Sequence, residues 1–268
     1  MYDILIVGGG PAGLSAAITA KMRGKSAAIL SNDRTDSGFY RAREIGNYPG
    51  LPGLSGAELS EKFVSHALGM GATITTGRVN AVLPAGGQIY VSYGSETASA
   101  KALILALGVI QTSVFPGEAE FLGRGVSYCA TCDGMLYRGK KVCVVCLAPD
   151  SEREADHLSS IGVEVVKLAT ADLSIIGDDR VTSVMADGEE IPCSGVFILR
   201  QTIAPDSLMP GLTTQNGHIW TDASMATNIP GIFAAGDCTG APYQVAKAAG
   251  EGQVAALSAA EYIDKNDL

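Results

Sequence analysis

The sequence has no long apolar run. A stretch such as Ala102 to Leu107, followed after one glycine by Val109 and Ile110, falls far short of the roughly 20 residues a membrane helix needs. That excludes a helical span. The first residues, MYDILIVGGG, have neither a basic n-region nor a cleavage site, so no secretory signal is expected and the protein is expected in the cytoplasm. There is no excess of cations: 19 Lys and Arg stand against 28 Asp and Glu, for a formal net charge of −9. Nucleic acid would call for a basic face, and it is excluded as a partner. Low-complexity tracts and repeats of solenoid length are absent. One further lack is local. KVCVVCLAPDSEREADHL, residues 141 to 158, has the rhythm of a strand, a tight turn and a helix, yet it contains no glycine. Turns of that kind that hold a dinucleotide usually carry a glycine-rich loop.

Glycine is abundant elsewhere. The 33 glycines in 268 residues exceed the usual share of about 7%, which suggests sharp turns or close backbone approach to a ligand. With 47% apolar and 18% charged residues, the chain can bury a core as one large or two modest domains. Its charge is uneven. Residues 1 to 113 carry 9 Lys and Arg against 7 acids, residues 114 to 213 carry 8 against 15, and the remainder carries 2 against 6. An acidic partner would be steered to the first segment. Six cysteines in a cytoplasmic chain should be mostly thiols, and a close pair is redox-active or metal-binding rather than a staple.

Tyr2 to Val7 reads as a strand, followed by Gly8, Gly10 and Gly13 in GxGxxG spacing, an alanine-rich helix from about Pro11 to Arg23, and a second strand over Ser26 to Leu30. Such glycines allow a tight turn and close approach of the backbone to a pyrophosphate at the helix N-terminus. An ordinary glycine-rich turn has the same spacing, and Ser31 and Asn32 stand where an acid for the ribose is expected, with Asp33 close by. The far end adds weight. GIFAAGDCTG, residues 231 to 240, is a buried strand ending in Gly236 and Asp237, with a helix after it, and KALILALG is another strand ending in Gly108. A carboxylate there suits the hydroxyls of a ribityl chain, and a helix dipole near Gln244 suits negative charge on a reduced flavin. Capping is the alternative role for Asp237.

Cys129 and Cys132, in SYCATCDG, have the CxxC spacing that lets two sulfurs meet when a helix begins at the first, and a helix N-terminus lowers thiol pKa. Half of a zinc site is the alternative. The only other CxxC, Cys143 with Cys146, lies on a strand, where residues three apart point to opposite faces, so no metal is expected. Cys193 and Cys238 read as small side chains, with Cys238 near the flavin.

GGGPAG, IGNYPG at residues 45 to 50, GRGVSYCATCDG at 123 to 134 and GIFAAGDCTG, in that order over nearly the whole chain, resemble the low-molecular-weight thioredoxin reductases, which belong among the class II pyridine nucleotide-disulfide oxidoreductases. The resemblance implies an α/β fold of two Rossmann-like three-layer domains. One, of residues 1 to 113 and 214 to 268, would hold FAD, and the other, residues 114 to 213, would be inserted in it and reduced in size. It implies Asn47, Gly108 and Gln244 as flavin neighbours, with Pro11, Ala12, Ser31, Val79, Ala106, Tyr243 and Val245 as further contacts. It also implies Cys132 as the thiol beside the flavin, Cys129 as the one that attacks a partner, Asp133 as general acid/base, thioredoxin as acceptor and a homodimer. A simple acid at a helix start is the other reading of Asp133. The three histidines, at 66, 157 and 218, lie far from the motif in sequence.

By position, VCVVCLAPDSE stands where NADPH-dependent relatives have a second glycine-rich loop. Cys146, Ala148 and Ser151 occupy the glycine positions, Pro149 lacks an N–H, Glu152 and Glu154 add negative charge, and Ala169 to Ala171 stand where relatives carry a basic cluster. The segment is also shorter than the resemblance implies. No NADPH is expected, and the sequence resembles the ferredoxin-dependent flavin thioredoxin reductases, with ferredoxin as donor. Ferredoxins are typically acidic, so Arg41 and Arg43 mark a candidate docking face, although solvated charges or dimer contacts fit them equally. Three other readings stay open: a dithiol oxidase that passes electrons to oxygen, a second flavin in the inserted domain, and a redox-dead FAD-binding scaffold.

Overall fold

The computed structural model describes residues 1–108, 115–128, 130–147, 151–169, 172–199 and 205–266, excluding the side chains of Asp36, Thr131 and Cys132. The chain divides into two compact units, one formed by residues 1–110 with 204–268 and the other by 111–203. The sequence placed these seams at 113/114 and 213/214. The second seam falls earlier because the short helix α5 (Pro205–Leu208) packs against strand β4 (Val79–Ala85) of the first unit, and Leu208, Met209 and Leu212 are buried.

In the first unit, β1 (Tyr2–Val7), β2 (Ala27–Ser31), β3 (Thr73–Thr76), the latter half of β6 (Glu96–Leu105) and β16 (Ile232–Ala234) form a parallel sheet, ordered β3-β2-β1-β6-β16. The first half of β6 pairs antiparallel with β5 (Gln88–Tyr93), which pairs with β4. Ile4, Ile6, Ile29, Ala102 and Ile104 are fully buried or nearly so beneath helices α1 (Pro11–Met22) and α6 (Val245–Lys265), as expected of a parallel sheet covered by crossover helices. Alanines 12, 16, 17 and 20 of α1 meet alanines 248, 255, 256 and 259 of α6 in this core. These small side chains let the backbones approach until a Cβ on Gly252 would sit 2.0 Å from the Ala12 carbonyl oxygen. Helix α2 (Gly56–Gly69) opens on a capping box, in which Ser55 Oγ accepts from Glu58 N at 3.2 Å and Glu58 Oε2 accepts from Ser55 N at 2.8 Å. A small hairpin of β14 (Thr214–Gln215) and β15 (His218–Ile219) precedes β16.

In the second unit, a parallel sheet runs β7-β13-β8-β9, from β7 (Val126–Ser127), β13 (Gly195–Leu199), β8 (Lys141–Cys146) and β9 (Glu164–Leu168). Helices α3 (Ala130–Asp133) and α4 (Ser151–Ser160) pack together. A separate antiparallel sheet holds β10 (Leu173–Gly177), β11 (Val181–Ala186) and β12 (Glu189–Pro192). The strand period puts Cys143 in the core beneath β10 and β11, and Cys146 in the core beneath α4. Among the described residues no cluster of His, Cys, Asp and Glu suits a metal ion, and no helix is long and apolar enough to cross a membrane.

Candidate active site

The glycine-rich turn of the first unit leaves β1 for α1. Gly8, at φ +113°, could take no side chain: a Cβ there would lie 2.1 Å from the Ala106 carbonyl oxygen. This contact and the bond from Ala106 N to Val7 O at 2.8 Å lock the turn against the end of β6. Gly13 stacks on the Gly8 carbonyl, while Gly10, the N-cap of α1, faces open space and has no side-chain cap. Pro11 opens the helix, where its missing N–H costs nothing, and the next N–H groups lack helical acceptors. Ser31 braces the turn through its Oγ, which accepts from Gly9 N at 3.0 Å. Gly77 N bonds Ser31 O at 2.8 Å and brings the buried Val79 near this end of β2. Gly8, Gly10, Pro11, Ala12, Gly13, Ser31, Ala106, Gly108, Gly236 and Asp237 therefore gather at the C-terminal ends of parallel strands, where open α/β sheets bind ligands.

Asp237 does not start α6. It opens a short 3₁₀ turn, Asp237–Thr239, and α6 begins at Val245 with Gln244 as N-cap. The reason lies in Gly236 and Gly240, whose φ values of +88° and +122° break any continuous helix. One oxygen of Asp237, Oδ1, is buried with no hydrogen-bond partner among the described residues, and burial raises the carboxyl's pKa, against an opposing pull from Lys247. Across the site, Asn47 Nδ2 donates to Gln244 Oε1 at 2.6 Å, joining residues 197 positions apart. The half-exposed Tyr243 meets His218 Nε2 at 2.8 Å through its hydroxyl. Cys238 is fully buried, its sulfur on the carbonyls of Leu105 and Ala235, and burial pushes the thiol up to about 11.

In the second unit, Cys129 and the side chain of Cys132 lie outside the described residues. Their surroundings are defined. α3 begins at Ala130, directly after the first cysteine, and the buried Ser127 donates through Oγ to Asp133 Oδ2 at 2.7 Å. The Tyr128 hydroxyl donates to the buried carboxylate of Glu118 at 2.9 Å, and Phe115 N donates to the same group, also at 2.9 Å. Glu154 of α4 accepts from Ala130 N at 3.4 Å. At the glycine-free turn, Ala148 to Asp150 lie outside the described residues, but the Ser151 hydroxyl hydrogen-bonds the Cys146 sulfur, whose pKa burial raises. Lys167 Nζ is held by Glu152 at 2.6 Å and Asp156 at 2.9 Å, which raise its pKa. Cys143 hydrogen-bonds Cys193, and this bond with burial raises the Cys143 thiol far above its usual range. The sequence reading missed that pair, since the two are 50 residues apart and meet only through the pairing of β8 with β13.

Comparison with known proteins fits this geometry. The pyridine nucleotide-disulphide oxidoreductase family model matches residues 2–147 and 148–252. A thioredoxin reductase from Listeria innocua is 32% identical over 302 aligned positions, covering 99% of this chain and 95% of that protein. A ferredoxin-flavin thioredoxin reductase from Clostridium acetobutylicum superposes with a TM-score of 0.90 at 40% identity, over 98% of both chains. A thioredoxin reductase from Gloeobacter violaceus gives a TM-score of 0.79 at 28% identity, over 100% of this chain and 96% of that one. The chain belongs to the pyridine nucleotide-disulphide oxidoreductase family, and within it is a Rossmann-like flavoprotein of the thioredoxin reductase type. The residues present fit such a cofactor: Asp237 offers a buried, unpartnered acceptor, Gly10 opens onto free space, and α1 presents uncapped N–H groups to an anion.

Proposed function

We propose that this protein takes electrons from reduced ferredoxin and passes them through FAD and the Cys129/Cys132 disulfide to oxidised thioredoxin, without NADPH. The observation that carries the reading lies at the two flanks of the segment between β8 and α4, Cys146 and Ser151. Cys146 and Ser151 stand where glycines would leave room for a pyrophosphate, and their side chains are bonded to each other. The first turn of α4 carries Glu152 and Glu154, and Lys167 is neutralised by Glu152 and Asp156. A dinucleotide phosphate would meet bulk and negative charge there. The likeness to the Clostridium protein, which covers both chains almost end to end, supports the same donor. The Listeria alignment, by contrast, runs over 302 positions against 268 residues here.

In this reading FAD is held by Gly8, Gly10, Pro11, Ala12, Gly13, Ser31, Val79, Ala106, Gly108, Gly236 and Asp237, with Asn47, Tyr243, Gln244 and Val245 around the ring. Such a flavin would supply the exchange between single electrons from the donor and the electron pair that a disulfide takes up. Cys132 is the sulfur beside the ring. Cys129, freed as a thiolate at the start of α3, attacks a thioredoxin sulfur, and Cys132 then resolves the mixed disulfide, so two electrons and two protons reach the acceptor. Asp133 moves the proton, with its carboxyl aimed by Ser127. The protein acts in the cytoplasm as a homodimer.

The test is anaerobic. Flavin absorbance is followed on adding NADPH, NADH or reduced ferredoxin, and oxidised thioredoxin is added afterwards. Ferredoxin alone should bleach the flavin, and Cys129→Ser and Cys132→Ser should abolish thioredoxin reduction. Bleaching by NADPH with matching turnover would overturn the proposal.

A further inference from the structure

Lys247 lies in the first turn of α6, and its side chain is only 17% exposed. Its ammonium donates to the carbonyls of Gly236 at 2.8 Å and Gly240 at 2.7 Å and to Thr239 Oγ1 at 3.0 Å, so all three donors have acceptors in one turn. Glu251, one helical turn on and 21% exposed, pairs with the amine at 3.1 Å. The same carboxylate oxygen accepts from Gly236 N at 2.8 Å and Thr239 Oγ1 at 2.9 Å. Lysine is almost never so buried unless paired. The contrast with Lys265 and Glu261 at the far end of α6 is direct: they have the same i,i+4 spacing, but at 71% and 63% exposure that pair contributes little.

The turn needs this support. Gly236 and Gly240 both have φ in the left-handed range, and only a short 3₁₀ turn lies between them. Inside it stands Asp237 with its unpartnered oxygen. The charged groups around that carboxylate are Lys247 and Glu251, with His218 beside Gly240.

We propose that Lys247 is a positioning residue of the flavin site: its part-buried ammonium ties residues 236–240 into one rigid turn and offsets the charge of Asp237, so that the carboxylate meets the cofactor already aimed. Without the amine, Asp237 and Glu251 would be two carboxylates sharing a half-buried site, a repulsion that disfavours both the turn and an electron-rich ring beside it. This rests on the flavin assignment above and not on the identity of the electron donor.

Apoprotein titrated with FAD and followed by flavin fluorescence gives the affinity, and equilibration with redox dyes gives the midpoint potential of the bound flavin. Lys247→Met should weaken FAD binding about tenfold or more, the loss expected when charge-assisted hydrogen bonds are removed, and should shift the midpoint potential to more negative values. Lys247→Arg should recover most of both. Wild-type affinity and potential in Lys247→Met would overturn the proposal, as would equal losses in the Met and Arg variants with unchanged thermal unfolding. Should Lys247→Met not fold, Lys247→Gln, which keeps two N–H donors without the charge, takes its place with the same expectations. Neither titration involves a donor protein, so failure of ferredoxin to reduce the flavin would leave this result standing.

Discussion

Asp3 shows how one carboxylate ties two elements. Its backbone N–H donates to Ser26 Oγ at 2.8 Å, its Oδ2 accepts from Ser26 N at 2.8 Å and from Ser26 Oγ at 2.7 Å, and Lys101 pairs with Oδ1 at 2.8 Å. β1 is thereby fastened to the residue before β2 and to β6. Burial raises the carboxyl's pKa, but the Lys101 and Ser26 hydrogen bonds outweigh it and hold the group at about 2, from an ordinary 3.8. A folded-state pKa below the unfolded one adds stability above pH 3.8 that is lost as pH falls toward 2. Asp3→Asn should therefore flatten the dependence of melting temperature on pH between about 4 and 2, where the wild type should fall more steeply. Asp237 runs the other way. Its carboxyl is raised by burial, so in the cofactor-free protein the charged form costs stability, and that cost grows as pH rises through its folded-state value. A residue held at such a cost at the end of β16 is what a binding site requires rather than what a fold requires.

At the scale of elements, the strands and helices around the glycine-rich turn were legible. Apolar runs bounded by glycine mark β1, β2 and the end of β6, and α1 ends within a residue of the alanine-rich stretch that the sequence marks as a helix. Asp237 does not cap α6, because two glycines of left-handed φ insert a separate turn before Gln244. Ser31, which stands where an acid for the ribose is expected, has a backbone task, accepting the Gly9 N–H. The antiparallel β4 and β5 left no sharp signal, since their exposed faces carry ordinary mixed residues. Helix α2 rests on its capping box, and Ser55→Ala should lower stability by about 1 kcal/mol, read as a lower urea midpoint with an unchanged m-value.

At the scale of the molecule, the chain leaves the first unit after β6 and returns at α5, so one core is built from both ends of the sequence. Each unit has its own sheet and buried cluster. Differential scanning calorimetry should resolve two transitions, and FAD should raise only the one that belongs to the first unit, because a ligand stabilises the body that binds it. A single transition, or an equal shift of both, would contradict this. The acidic balance is heaviest in the middle segment, where 8 Lys and Arg stand against 15 acids.

Local chemistry settled what can be read without coordinates. Glycine spacing, a strand's two-residue period at Cys143 and Cys146, and the absence of glycine between 141 and 158 each follow from steric rules that act within a few residues. Tertiary structure alone decided what depends on distant chain segments meeting: the Asn47–Gln244 bond, the Cys143–Cys193 pair, the orphan oxygen of Asp237, and the burial of Lys247 among carbonyls. A lysine in the first turn of a helix looks the same in sequence whether it points to water or into a turn. The free energy that separates those cases comes from desolvation and pairing, which exist only once the chain has closed around it.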